Sequence, residues 1–149
     1  MLFVQRRSRL QPQRAQRDNR KERKVNSTQL NELSSRIIGL AIRVHKTLGP
    51  GFVEKIYERA LTEEFGKEKI RFRLQREIEV KYGEVNIGGQ RLDIMIEDEI
   101  ILELKAISEL RGIHQAQMIS YLKAANKRLG LILNFAKEKL EIKRIVNNF

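Results

Sequence analysis

The stretch that decides the fold is Arg91 to Lys105, RLDIMIEDEIILELK, in which two short apolar runs meet at an acidic turn. Apolar and polar residues alternate on both sides of the turn, which is typical of a β-hairpin. With residues 97–99 as a three-residue loop, the pairs are Ile96 with Ile100, Met95 with Ile101, Ile94 with Leu102, Asp93 with Glu103, and Arg91 with Lys105. A two-residue turn at Asp98 and Glu99 would instead place Asp93 opposite Leu104.

The first register brings two acidic residues, Asp93 and Glu103, directly opposite each other. Their Cβ atoms would be about 4.5–5.5 Å apart, and such a pair destabilises a sheet unless positive charge lies between the carboxylates. Mg²⁺ or Mn²⁺ fits this description, because these ions bind one or two carboxylates together with water and phosphate oxygens. The alternative is a solvated charge ladder neutralised by Arg91 and Lys105. The residues alone leave both interpretations open.

The two faces of the hairpin differ in character. The first face is entirely apolar and is expected to be packed by a helix; its residues are Leu92, Ile94, Ile96, Ile100, Leu102 and Leu104. The second face carries the charges together with Met95 and Ile101, so it is not uniformly polar; its residues are Arg91, Asp93, Met95, Ile101, Glu103 and Lys105. Acidic residues are depleted from ordinary strands, which counts against a simple surface ladder.

Composition narrows the class of protein. The chain has 149 residues, a length typical of one domain, and no cysteine, which excludes a disulfide framework and a thiolate zinc site. Apolar runs are too short for a membrane span of about 18 residues, and the N-terminus lacks the apolar core of a signal peptide. We therefore expect a cytoplasmic protein without membrane contact. The net charge of +11 favours a polyanionic partner such as nucleic acid.

Much of that charge lies in residues 1–28, where nine Lys or Arg residues face only Asp18 and Glu22. The segment has almost no apolar residue after Leu10, so we expect a disordered basic arm followed by a folded domain over 29–149. The arm would hold nucleic acid by neutralising phosphates. An incidental extension without a role is an equal alternative, and the composition also loosely resembles a transit peptide.

Helical periodicity predicts a first helix from near Ser27 or Thr28 to the Gly49-Pro50-Gly51 turn, and a second from Phe52 to about Lys67. Strands are expected over 70–82 and in the hairpin, a third helix over about 111–127, and two further strands over 129–135 and 140–146. The predicted fold class is therefore α/β, with a mixed sheet in the order ααβββαββ and one parallel pair across the third helix.

These pieces resemble a known family when they are read together. Asp93, then Glu103-Leu104-Lys105 on the next strand, then a helix with Gln117 and Tyr121, resembles the PD-(D/E)XK nuclease superfamily, including the QxxxY helix of its RecB-like branch. The stretch Gly51 to Tyr57, GFVEKIY, looks like the signature of the small GxxExxY family assigned to that superfamily. The resemblance covers about residues 34–135, and Leu92 replaces the proline of the superfamily name.

The resemblance implies a restriction-endonuclease-like core and a Mg²⁺- or Mn²⁺-dependent phosphodiester hydrolase acting on DNA, with RNA as an open alternative. Asp93 and Glu103 would bind the metal and Lys105 would act on the attacking water and the phosphate. It also implies roles for three residues whose plain interpretation is structural. Glu54, otherwise a helix-start residue, becomes an additional metal ligand, and Gln117 and Tyr121, otherwise a hydrogen bond at the core edge, become catalytic.

Arg91, which the predicted register sets beside Lys105, is a candidate phosphate contact, while His114 has no assigned role. Three functions compete on this basis. The first is a metal-dependent nuclease, the second a nucleic-acid-binding module without catalysis on the same fold, and the third a small structural or partner-binding protein in which the acidic residues are incidental. A homodimer is compatible with the size of the chain but is not required by it.

Overall fold

Across residues 25–147, three helices and five strands follow one another in the predicted order, ααβββαββ. The computed structural model describes residues 25–147. The helices are α1 (Ser27–Leu48), α2 (Glu54–Lys67) and α3 (Gly112–Ala125), and the strands are β1 (Phe72–Tyr82), β2 (Val85–Ile96), β3 (Ile100–Lys105), β4 (Leu129–Asn134) and β5 (Glu141–Val146). No helix within the described part of the chain has the length and apolar character of a membrane span.

Helix α1 begins where its capping residues dictate. The Asn26 side chain accepts a hydrogen bond from the Gln29 amide, and the Gln29 side chain accepts one from the Asn26 amide. Ser27 and Thr28, assigned above to the basic arm, therefore form the first turn of this helix. The rest of the predicted arm, residues 1–24, lies outside the described residues.

The five strands form one mixed sheet in the order β1-β2-β3-β4-β5. Strands β3 and β4 are parallel and are joined through α3, whereas every other neighbouring pair is antiparallel. A parallel pair needs a crossover connection, and α3 supplies it. The mixed α/β fold and its single parallel pair confirm the prediction.

The hairpin between β2 and β3 has the predicted register. Ile94 pairs with Leu102, Met95 with Ile101 and Ile96 with Ile100, around a three-residue loop over 97–99. Glu97 and Asp98 have φ of 50° and 56°, the left-handed conformation that Asp tolerates better than most residues. The Glu97 side chain also accepts a hydrogen bond from the Arg71 amide, at 2.8 Å, which ties the loop to the start of β1.

Strand β2 differs from the prediction in two respects. It begins at Val85 rather than Arg91, because the ladder with β1 continues through Gly88, opposite Val80, and after a register shift through Asn86 to Val85. Leu92 packs with the cluster under α3 and not on the face of Ile94. The simple alternation fails next to Asp93, which lies opposite Gln75, a residue with φ of 52° that has no pair in the ladder with β1.

Helices cover both faces of the sheet. On one face, α1 and α2 pack on the apolar residues of β2, β3 and β4, as predicted for the side opposite the carboxylates. On the other face, α3 covers a second cluster that includes Met95 and Ile101 of the hairpin. The face that carries the charged residues is therefore apolar in its middle and polar only where it leaves the cover of α3.

Gly130 on β4 allows α3 to approach the sheet closely. A Cβ atom at this position would lie 2.8 Å from Met118 Cγ and closer still to its Sδ atom. Met118 is fully buried and lies next to Gln117 in the sequence. The absent side chain at 130 thus fixes the distance between the sheet and the helix that carries Gln117 and Tyr121.

We expect Gly130→Ala to lower the free energy of unfolding by about 1–3 kcal/mol, because the added methyl group overpacks a buried site. Urea denaturation measures the loss. Met118→Ala in the same chain makes room for the methyl group, so the double variant should lose less than the sum of the two single changes.

Gly39→Ala is the matched control. Nothing lies within 4 Å of a Cβ atom at this exposed position of α1, so alanine there should stabilise the helix by up to about 1 kcal/mol. Equal effects of the two glycine substitutions would contradict the proposed close approach of Met118.

Candidate active site

Asp93 and Glu103 meet where two central strands separate. The β2–β3 ladder ends at the pair Ile94–Leu102, after which β2 continues beside β1 and β3 continues beside β4. We call the point where the two strands separate the fork. There the side chains of Asp93 and Glu103 accept hydrogen bonds from the backbone amides of the facing strand. Glu103 Oε1 accepts a hydrogen bond from the Asp93 amide and Asp93 Oδ2 accepts one from the Leu104 amide, each at 3.3 Å. The two residues predicted to face each other are therefore in contact.

This contact has a strong electrostatic consequence. Glu103 is buried, at 6% exposure, and Asp93 is half-buried. Burial, together with a hydrogen bond and charge repulsion from the Asp93 carboxyl, raises the pKa of Glu103 to about 8, despite the opposing charge of Lys105. Near neutral pH the pair consequently tends to keep a proton unless a cation takes its place.

Lys105 is brought to the same fork from the end of β3. Its carbonyl accepts a hydrogen bond from the Phe135 amide at 2.9 Å, and its backbone pairs with Asn134 of β4. The fully buried Asn134 side chain bonds both the amide and the carbonyl of Ile107, which fixes the chain directly after Lys105. The lysine is half-buried and close enough for its charge to act on Glu103.

Helix α3 adds a tyrosine to the group. Tyr121 is buried at 7% exposure, and its pKa is raised by burial and then by the charges of Glu103 and Asp93. Hydrogen bonds from Gln90 and Gln117 act in the opposite direction on that pKa. Gln90, on β2, was not predicted from the sequence, and its only available signal was its position three residues before Asp93.

Two other polar residues of the sequence, Arg91 and His114, lie in different surroundings. The Arg91 guanidinium contacts Glu77 of β1 at 3.6 Å, because pairing with β3 has ended before that point. The predicted opposition of Arg91 and Lys105 is therefore not formed. His114 accepts a hydrogen bond from the Arg111 amide through Nδ1 and helps to cap α3, which accounts for a residue left unassigned above.

Glu54 is exposed in the first turn of α2. Among residues 25–147, no group of three or more His, Cys, Asp or Glu side chains is arranged to hold one metal ion. The described structure thus brings together a pair of carboxylates and does not add Glu54 to them as a third.

Tyr57, three residues after Glu54, has a structural role. It is fully buried and stacks on Phe135 with ring centroids 4.4 Å apart. Its hydroxyl donates to the Gly49 carbonyl at 2.6 Å and accepts from the Phe52 amide at 3.1 Å. One side chain therefore fixes both ends of the turn between α1 and α2 and sets where α2 begins.

A mixed sheet with a carboxylate pair and a lysine at a fork between central strands is the arrangement of a restriction-endonuclease-like core. The chain belongs to the PD-(D/E)XK nuclease superfamily, whose family model matches residues 31–145. Proteins of this superfamily generally use divalent metal ions and act on nucleic acid. A comparison with curated proteins gave no match.

Two solved structures are similar to this chain at low sequence identity. The crystal structure of SSO0001 is 22% identical with a TM-score of 0.46, and the match covers 64% of this chain and 51% of that one. An alkaline exonuclease from Laribacter hongkongensis is 9% identical with a TM-score of 0.48, covering 85% of this chain and 73% of the exonuclease. The chain thus spans about half the length of SSO0001.

The raised pKa of Glu103 predicts a pH-dependent stability in the presence of EDTA. The folded protein holds this proton more tightly than the unfolded chain does, so the stabilisation is complete below the ordinary value of 4.5 and is lost as the pH rises towards about 8. Glu103→Gln cannot lose a proton. Its Tm should exceed that of the wild type by several degrees at pH 8, and the difference should shrink towards pH 4.5.

Scanning calorimetry across that pH range tests the expectation. Glu63→Gln, at an exposed position of α2, is the control and should follow the wild-type profile. Parallel profiles for Glu103→Gln and the wild type would mean that the Asp93–Glu103 contact does not hold a proton.

Proposed function

We propose that this protein is a metal-dependent nuclease that hydrolyses DNA phosphodiester bonds at the fork between β2 and β3. The observation that carries the proposal is the contact between the Asp93 and Glu103 carboxyls beside Lys105. A protein that only bound nucleic acid would gain nothing from two carboxylates placed where a phosphate must dock. In a hydrolase, the same carboxylates are the ligands of the cation on which the chemistry depends.

The donor set fits Mg²⁺ or Mn²⁺. Both candidate ligands are carboxylate oxygens, and neither of the two histidines of the chain takes part. Such hard ions bind through one or two carboxylates and complete their shell with water and phosphate oxygens. The proton that Glu103 retains at neutral pH would leave when the cation enters, which relieves the repulsion inside the pair. When bound, the cation would activate water and stabilise charge on the phosphate.

The protein's own residues would carry the remaining steps. Lys105, anchored through its backbone to Phe135, would place its ammonium group beside the scissile phosphate and neutralise charge in the transition state. Tyr121 would donate its hydroxyl hydrogen to a phosphate oxygen, and Gln117 would steady that hydroxyl. Arg91, on the strand that leaves the fork, would contact a neighbouring phosphate of the substrate.

Glu54 would complete the site as an additional or outer ligand, in keeping with the GxxExxY signature. Glu54 lies one helical turn before Tyr57, Tyr57 stacks on Phe135, and the Phe135 amide bonds the Lys105 carbonyl. These contacts connect the start of α2 with the end of β3, and Glu54 would bind the metal ion through a water molecule.

We expect Asp93→Asn and Lys105→Ala each to lower cleavage by at least about 100-fold, because the first removes a proposed ligand of the cation and the second removes a positive charge that would stabilise the transition state. The assay incubates purified protein with single-stranded DNA, double-stranded DNA and RNA in Mg²⁺ or Mn²⁺, and EDTA should abolish cleavage. Lys143→Ala, an exposed lysine of β5, is the matched control and should cleave as the wild type does.

The alternative, a nucleic-acid-binding module on the same fold, gives a different outcome. It predicts no metal-dependent cleavage of any of the three substrates, together with binding that persists in both variants. That result would overturn the nuclease proposal. Cleavage that survived in Asp93→Asn would overturn the assignment of the site.

The basic arm is proposed to strengthen binding by neutralising phosphates. Replacing its nine Lys and Arg residues with Gln in the full chain should weaken DNA binding and reduce the slope of log K against log salt, because fewer counterions are released. Fluorescence anisotropy at several salt concentrations measures the slope. An unchanged slope would remove the arm from the mechanism, whereas Lys143→Gln, which changes a single exposed charge, should alter it little.

A further inference from the structure

Gln90 joins the strand of Asp93 to the helix of Tyr121. Its Nε2 atom donates a hydrogen bond to the Tyr121 hydroxyl oxygen at 3.3 Å. Gln90 lies on β2 just before the fork, opposite Ile78 of β1, and Ile78 packs in the same cluster as Tyr121. This hydrogen bond therefore connects the β1–β2 pair directly to α3.

The direction of this hydrogen bond determines what the tyrosine can do. A phenol has one hydrogen to donate, and its oxygen can also accept. When the oxygen accepts from Gln90, the hydrogen remains available for a different acceptor. The charges of Glu103 and Asp93 act on the pKa of the same hydroxyl, so the fork, with its carboxylates or a phosphate bound there, is where we expect this acceptor.

We propose that Gln90 is a positioning residue, which holds the Tyr121 oxygen towards β2 so that the hydroxyl hydrogen points at a phosphate oxygen of the substrate. This inference rests on the proposed nuclease function. Gln90 acts from a separate strand, whereas Gln117 belongs to the same helix as Tyr121 and moves with it. Gln90 therefore fixes α3 relative to Asp93, which a residue within α3 cannot do.

A double-mutant cycle on the cleavage rate tests the proposal. Gln90→Ala should lower kcat by roughly tenfold, the effect of losing about one well-placed hydrogen bond, with a smaller change in KM. In a Tyr121→Phe background the hydroxyl is absent, so Gln90→Ala should have no further effect on kcat. Additive losses in the two backgrounds would overturn the positioning role.

Two controls separate this role from general damage to the fold. Glu79→Ala removes an exposed side chain from the same β1–β2 pair and should leave kcat unchanged. Thermal unfolding of Gln90→Ala should stay close to that of the wild type, because Gln90 is exposed. A loss of kcat in Glu79→Ala equal to that in Gln90→Ala would overturn the specific role of Gln90.

A readout that does not need turnover distinguishes failure of this inference from failure of the nuclease proposal. The side-chain amide signal of Gln90 in a ¹⁵N NMR spectrum should shift in Tyr121→Phe and not in Lys143→Ala. If the wild type cleaves none of the substrates and this signal still shifts, the nuclease function is overturned and the contact stands. If the wild type cleaves and the signal does not move, the Gln90 inference is overturned and the nuclease stands.

Discussion

The contact between Asp93 and Glu103 is the constraint on which the rest of the site depends. Two carboxylates that face each other across a ladder repel, and burial of Glu103 makes that repulsion stronger because little solvent screens it. A fold selected only for stability would place apolar residues or an ion pair at this position. The chain instead keeps the pair and satisfies it locally with the amides of Asp93 and Leu104. The cost in stability arises at the point where the two strands separate, which is where the proposed function places a cation and a phosphate.

The surrounding fold holds that fork open. Strand β3 stays paired with β4 up to Lys105, and β2 stays paired with β1 back to Val85, so neither strand can close over the gap. The parallel β3–β4 pair requires the α3 crossover, which returns Tyr121 to the same region. Gly130 then allows α3 to pack closely on the sheet, and the charges of Glu103 and Asp93 act on the pKa of Tyr121 from there. Core packing and site geometry are thus set by the same elements.

Much of this arrangement could be predicted from the sequence because it follows from short-range patterns. Strict alternation around residues 97–99 fixed the hairpin register, and with it the meeting of Asp93 and Glu103. The predictions that failed depended on interactions between strands that alternation does not encode. Leu92 changed face where the β1–β2 ladder skips Gln75, and Arg91 found Glu77 instead of Lys105. Gln90 was missed because alternation does not encode contacts between a strand and a helix either, and its partner Tyr121 lies 31 residues away on α3.

The stretch GFVEKIY shows how one motif can combine two kinds of requirement. Tyr57 is explained completely by structure, since its ring fills the core against Phe135 and its hydroxyl fixes the turn that precedes α2. Glu54 is exposed, and no packing requirement demands a carboxylate there. Its position in the first turn of α2, whose N-cap residue Val53 provides no side-chain hydrogen bond, is favoured by the helix dipole. Tyr57 fixes the start of α2, and Glu54 lies in the first turn of that helix. In the proposed site, this arrangement would hold the Glu54 carboxylate at a set distance from Lys105. Tyr57 therefore explains where α2 begins, and a part for Glu54 in the site belongs to the proposed function.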